Sequence, residues 1–141
     1  MSSVLPAPLK KVWLVNRPEA APQARHELLL TARALGLDAE IVDRLELCTS
    51  EIVTNVVQHA GGATLTLCLT RTAERLRVEV RDSCARMPVA PGSAQEWDEG
   101  GRGLFIVAHQ ADDHGAYHAD GGKVVWFEVV TWPKADPGTC V

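Results

Sequence analysis

The sequence predicts an α+β two-layer sandwich, in which a mixed and mostly antiparallel sheet is covered on one face by helices. Three observations carry this prediction. Apolar residues recur at helical spacing in two consecutive stretches between residues 18 and 60, and the period then switches to two in the stretches 63–70 and 76–81. A strand-like apolar run precedes the helices and a hairpin-like pattern closes the chain, so strands and helices come in runs instead of alternating.

Residues 1–10 hold two prolines and two serines and read as a flexible tail. Lys10-Lys-Val-Trp-Leu-Val15 has the length and composition of a strand. Between Pro18 and Leu37 a first helix is expected, because Ala24, Leu28, Ala32 and Leu35 share a face and Gly36 stands where a left-handed residue would close it. Asp38 is a suitable N-cap for a second helix, whose apolar stripe of Ile41, Leu45, Cys48 and Ile52 is broadened by Val42, Val53 and Val57. Gly61-Gly62 should end it.

Ala63–Thr70 alternates leucine with threonine, and Leu76–Arg81 alternates apolar with charged residues, as half-buried strands do. The connection Arg71–Arg75 is short enough for a hairpin. Residues 84–101 show no sustained period and predict a long loop, a place where function concentrates. An apolar helix is expected over Gly103–His109, running as far as Ala111, and a closing hairpin over Tyr117–Val130 with its turn at Asp120-Gly121-Gly122. Within that hairpin Trp126 and Phe127 should point to opposite faces. One domain over residues 11–132, followed by a second flexible tail at 133–141, is the organisation this implies.

With 141 residues and 46% hydrophobic content, the chain is long enough for one real core. A net charge of -4 without any basic run argues against an electrostatic grip on nucleic acid or on an anionic membrane. The four cysteines, Cys48, Cys68, Cys84 and Cys140, lie far apart with no C-x-x-C pair, which fits free thiols in a reducing compartment. No stretch has the length of a membrane span or the pattern of a signal peptide, so a cytoplasmic location is expected.

Three separated pieces fall at element ends, where sites are built. Glu51, Asn55 and His59 climb one side of the second helix in successive turns. Asparagine is a poor interior helix residue, and its amide among apolar neighbours needs partners. Asp82 ends the second alternating strand, and Gly100-Gly-Arg-Gly103 precedes a helix, where backbone N–H groups can face an anion. Each piece also has a structural reading. Glu51 could be solvated, Asp82 could cap a turn or pair with arginine, His59 could answer the helix dipole, and the glycines could be a loop tip.

Taken in order, Glu51-x-x-x-Asn55, then Arg81-Asp82, then Gly101-Arg-Gly103-Leu-Phe-Ile-Val107 resemble the N box and the two glycine boxes of the GHKL ATPase superfamily. That superfamily joins DNA gyrase, a heat-shock chaperone, histidine kinases and a mismatch-repair protein. The chain is similar in length and motif order to its small stand-alone members, the anti-sigma-factor serine kinases. The resemblance spans roughly residues 20 to 130 and implies the Bergerat fold, with ATP between the helix layer and a lid. It implies that Asn55 holds Mg2+ through its side-chain oxygen, that Glu51 is the base, and that Asp82 accepts a hydrogen bond from the adenine amino group. Gly101 and Gly103 would let the lid backbone approach the phosphates, with Arg102 and His59 as further nucleotide contacts. One departure is plain: where the family commonly shows Asp-x-Gly-x-Gly, this chain has Asp82-Ser-Cys-Ala-Arg-Met-Pro88.

The resemblance therefore implies an ATP-dependent protein serine/threonine kinase that binds a sigma factor and phosphorylates a serine of an antagonist protein. It also implies a homodimer, as small relatives often form. Two alternatives stand beside it: a protein-interaction module of the same fold without phosphotransfer, motivated by the missing glycines, and a detached histidine-kinase catalytic domain. Lys123 lies where related proteins carry a small hydroxyl residue near the adenine aspartate, and a solvated strand-end lysine is expected there.

Overall fold

The structure is a computed structural model, and it describes residues 8–59, 63–82, 106–119 and 121–132. Strand β1 (Pro8–Val15) leads into helices α1 (Ala20–Leu35) and α2 (Ala39–His59), then strands β2 (Thr64–Arg71), β3 (Arg75–Asp82), β4 (Asp113–Ala119) and β5 (Gly122–Val130). Residues 106–110 are helical. The five strands form one sheet in the order β1-β2-β3-β5-β4. Every pairing among them is antiparallel.

The local signals act as their chemistry requires. Gly36 takes φ +68° and ends α1, its N–H meeting the Arg33 carbonyl while the next N–H returns to Ala32. Asp38 caps α2, its carboxylate accepting from the Ile41 N–H at 3.0 Å. In the β2–β3 turn the Thr72 hydroxyl both accepts from the Arg75 N–H at 3.0 Å and lies 3.1 Å from the Arg75 carbonyl. Two boundaries differ from expectation. β1 starts at Pro8, ahead of Lys10, and β4 starts at Asp113 instead of Tyr117. As an edge strand β4 buries little, so its first residues lack the alternation that marks a half-buried strand. The expected end of α2 at Gly61-Gly62 and the loop over 84–101 lie outside the described residues.

Both helices cover one face of the sheet. Leu28 of α1 and Leu45, Ile52, Val53 and Val56 of α2 are buried against Leu65, Leu67, Leu69, Leu76, Val78, Val80 and Phe127. Phe127 is fully buried while Trp126 faces the other way, as expected. There the indole lies over Gly115 of the neighbouring strand, where an added Cβ would come within 2.9 Å of the ring, and Arg77 stacks on it at 4.0 Å. Glu79 and Glu128 hold that guanidinium at 2.8 and 2.9 Å.

Cys48 and Cys68 are free thiols. Burial pushes the Cys48 thiol up to about 11; Arg44 pulls it down and the Glu51 charge adds to the rise. Its folded-state pKa is above the ordinary 9.0, so the associated stability is present below that pH and is lost as the pH climbs toward 11. Iodoacetamide at pH 8, read by peptide mapping, is expected to leave Cys48 unmodified in the folded protein and to alkylate it in denaturant. Rapid labelling of native Cys48 would contradict this packing.

Candidate functional site

The side chains at 51, 55 and 59 of α2 are not equivalent. Glu51 is half-buried, Asn55 is 6% exposed and His59 is exposed. Asn55 lies between buried Val53 and Val56, yet among the described residues nothing hydrogen-bonds its amide. His59 sits in the last turn of α2, the end of a helix at which a basic side chain is favoured.

Opposite α2, the alternation of β3 decides where Asp82 points. Leu76, Val78 and Val80 face the helix layer, and Asp82 has the same parity and is 5% exposed. A carboxylate is thereby placed between sheet and helices at the end of a central strand. Its cross-strand partner is Lys123 of β5, which shares a face with Val125, Phe127 and Val129. The ammonium stands 3.0 Å from Asp82 Oδ2, and both side chains are almost wholly buried. The contact is Coulombic in character, since the two groups are close without standing in hydrogen-bond alignment. The expected solvated Lys123 is therefore corrected: burying Asp82 requires a counter-charge, and the residue opposite it in the register supplies one.

A third element borders the same layer. Val107, in the helical turn 106–110, is buried in the core. The end of that turn is held by Arg44 of α2, whose Nε and Nη2 donate to the Gln110 carbonyl at 2.9 and 2.6 Å. Nη2 also lies 3.3 Å from Asp112 Oδ2, and that carboxylate accepts from the Val130 N–H at 2.6 Å. Arg44 thus ties α2 to the segment that follows the glycines and to the end of β5. Spacing on the α2 wheel did not single out this residue, because its partners come from the far end of the chain. Gly101, Arg102 and Gly103 lie outside the described residues, as do Gly61 and Gly62.

So Asp82 and Lys123 lie side by side beneath the helices, while α2 carries Asn55 buried and Glu51 half-buried. The set offers a neutral amide, a carboxylate acceptor and an ammonium donor, with a second carboxylate one helical turn from the amide. No group of three or more His, Cys, Asp or Glu that could hold a metal ion occurs among the described residues. A hard cation here would depend on Asn55 and on its own anionic ligand.

The histidine kinase-like ATPase domain family matches residues 14–129. The chain belongs to that family. Solved structures agree on the fold. The RsbU and RsbW domains of Rv1364c from Mycobacterium tuberculosis superpose with a TM-score of 0.63 at 18% identity, over 92% of this chain and 34% of that one. The SiaB-SiaC complex from Pseudomonas aeruginosa gives 0.60 at 14% identity, over 87% and 90%. The catalytic domain of the histidine kinase ThkA gives 0.53 at 14%, over 89% and 100%. The chain spans about a third of the first of these. Among curated proteins no relative matches. No helix of the described residues is long and apolar enough to cross a membrane.

The Arg44 tie can be tested by urea denaturation. Arg44→Ala removes the donors to Gln110 while leaving the apolar face of α2 intact, and is expected to cost about 1–2 kcal/mol, the partial exposure of the ion pair limiting the loss. An unchanged midpoint would show that the tie contributes nothing.

Proposed function

We propose that this chain is an ATP-binding regulator of the anti-sigma-factor serine kinase kind, which binds a sigma factor and phosphorylates a serine of a small antagonist protein in the cytoplasm. The observation that carries the reading is the burial of both Asp82 and Asn55 in a chain that belongs to the histidine kinase-like ATPase domain family. An RsbW domain among the structural neighbours, and the protein complex formed by SiaB with SiaC, favour a protein partner. A homodimer follows the same reading.

Two of the described residues have the chemistry that a bound Mg-nucleotide would call on, which supports the reading. Asp82 is a buried acceptor suited to an exocyclic amino group, and the Asn55 amide has an oxygen suited to Mg2+ and no protein hydrogen bond among the described residues. Bound Mg-ATP would supply the transferable γ-phosphoryl group and the cation that neutralises it. Glu51, half-buried one turn before Asn55, would take the proton of the attacking serine hydroxyl. Backbone at Gly101 and Gly103, with Arg102, would close over the phosphates, and His59 would contribute from the end of α2.

A second reading, an interaction module without phosphotransfer, is favoured by one observation. Asp82 already has Lys123 beside it, so nucleotide must be accommodated at an occupied carboxylate.

Calorimetric titration with Mg-ATP separates these ideas at the first step. Wild type is expected to bind, and Asp82→Ala and Asn55→Ala each to weaken binding by at least about tenfold, the loss of one charged or metal-linked contact. A wild-type protein that ignores ATP would overturn the proposal. With labelled ATP and a candidate antagonist, Glu51→Gln is expected to keep ATP affinity while serine phosphorylation falls at least about a hundredfold. Equal phosphorylation by wild type and Glu51→Gln would remove Glu51 as the base, and binding without any transfer would favour the interaction module.

A further inference from the structure

The ion pair between Lys123 and Asp82 is more than a counter-charge. We infer that Lys123 is a nucleobase-reading residue, donating to a ring nitrogen of adenine while Asp82 accepts from the neighbouring amino group. The inference rests on the ATP-binding reading above.

Three features point to it. The residues are direct cross-strand partners facing the helix layer, so backbone register fixes one beside the other. Their charged groups stand 3.0 Å apart, and their side chains are 4% and 0% exposed. An ammonium buried to that degree cannot be separated from its carboxylate without leaving two uncompensated charges, so a base reaching Asp82 meets the lysine as well. Finally, an ammonium carries three N–H donors, so the Coulombic contact with Asp82 still leaves it able to donate to a second acceptor.

The chemistry of the adenine edge matches this pair. Its amino group is a donor flanked by a ring nitrogen acceptor on either side. An acceptor and a donor placed side by side are what a bidentate asparagine or glutamine amide uses to read adenine. Asp82 and Lys123 present the same order of groups in charged form, so each contact would be stronger than its neutral counterpart. A small hydroxyl residue at position 123 could not supply a full positive charge to a ring nitrogen. A lysine that merely blocked the carboxylate would instead oppose binding, and this alternative is distinguishable.

The test compares ATP, 1-deaza-ATP and 7-deaza-ATP, each with Mg2+, by calorimetry. Each analogue lacks one of the two ring nitrogens beside the amino group. Wild type is expected to bind one analogue at least about tenfold more weakly than ATP, and Lys123→Met to reduce that penalty to less than about threefold. Lys123→Gln, which keeps a neutral N–H donor without the charge, should retain a reduced penalty and serves where Lys123→Met does not fold. The inference is overturned if wild type binds ATP and both analogues alike, if the penalty persists in Lys123→Met, if it vanishes in Lys123→Gln, or if Lys123→Met binds ATP more tightly with an unaltered penalty. These outcomes leave ATP binding itself intact, whereas a wild type that binds none of the three nucleotides overturns the ATP-binding reading and this inference together.

Discussion

The alternation that buries Leu76, Val78 and Val80 under the helices also carries Asp82 under them, and much of the site follows from that constraint. A strand cannot bury three residues of one parity and expose the fourth without bending. The cost of a buried carboxylate is met by Lys123, held opposite by the antiparallel register of β3 and β5. The core and the candidate site are thus one packing arrangement. A change in β5 register would move Phe127 out of the core and Lys123 away from Asp82 at once.

Above the sheet, α2 supplies the other half. Its apolar arc seats Leu45, Ile52, Val53 and Val56 on the sheet, and Asn55 is buried on the same helix at the edge of that arc. Glu51, one turn earlier, stays half-buried. Arg44, on the same helix, joins the turn at 106–110 and the end of β5 to α2. One helix therefore positions the polar residues and the segment that follows the glycines. The opposite face of the sheet, with Trp126 between Gly115 and Arg77 and with Trp13 69% exposed, is built from different contacts.

Much of this was legible in the sequence because its causes are local. Gly36, Asp38 and the leucine-threonine alternation of β2 act within a few residues, and each marks its element without knowledge of the rest. The ordered motifs at 51, 55, 82 and 101–103 made the family legible as well. The role of Lys123 was not, since a lysine beside a turn reads as solvated until the register of two strands shows what it faces. Nor was the start of β4, because an edge strand needs little apolar patterning. Arg44 carries no local signal for a related reason: its partners are distant in sequence and are backbone carbonyl and carboxylate groups with no motif of their own.

The central claim is that nucleotide enters the layer between α2 and the end of β3. Chemical-shift mapping by two-dimensional NMR on addition of a non-hydrolysable Mg-ATP analogue tests it most directly. The expected result is movement of the Asn55 side-chain amide and of the Asp82 and Lys123 backbone signals, with the Trp13 and Trp126 indole signals on the opposite face unmoved. Shifts confined to those indoles, or none at saturating analogue, would contradict it.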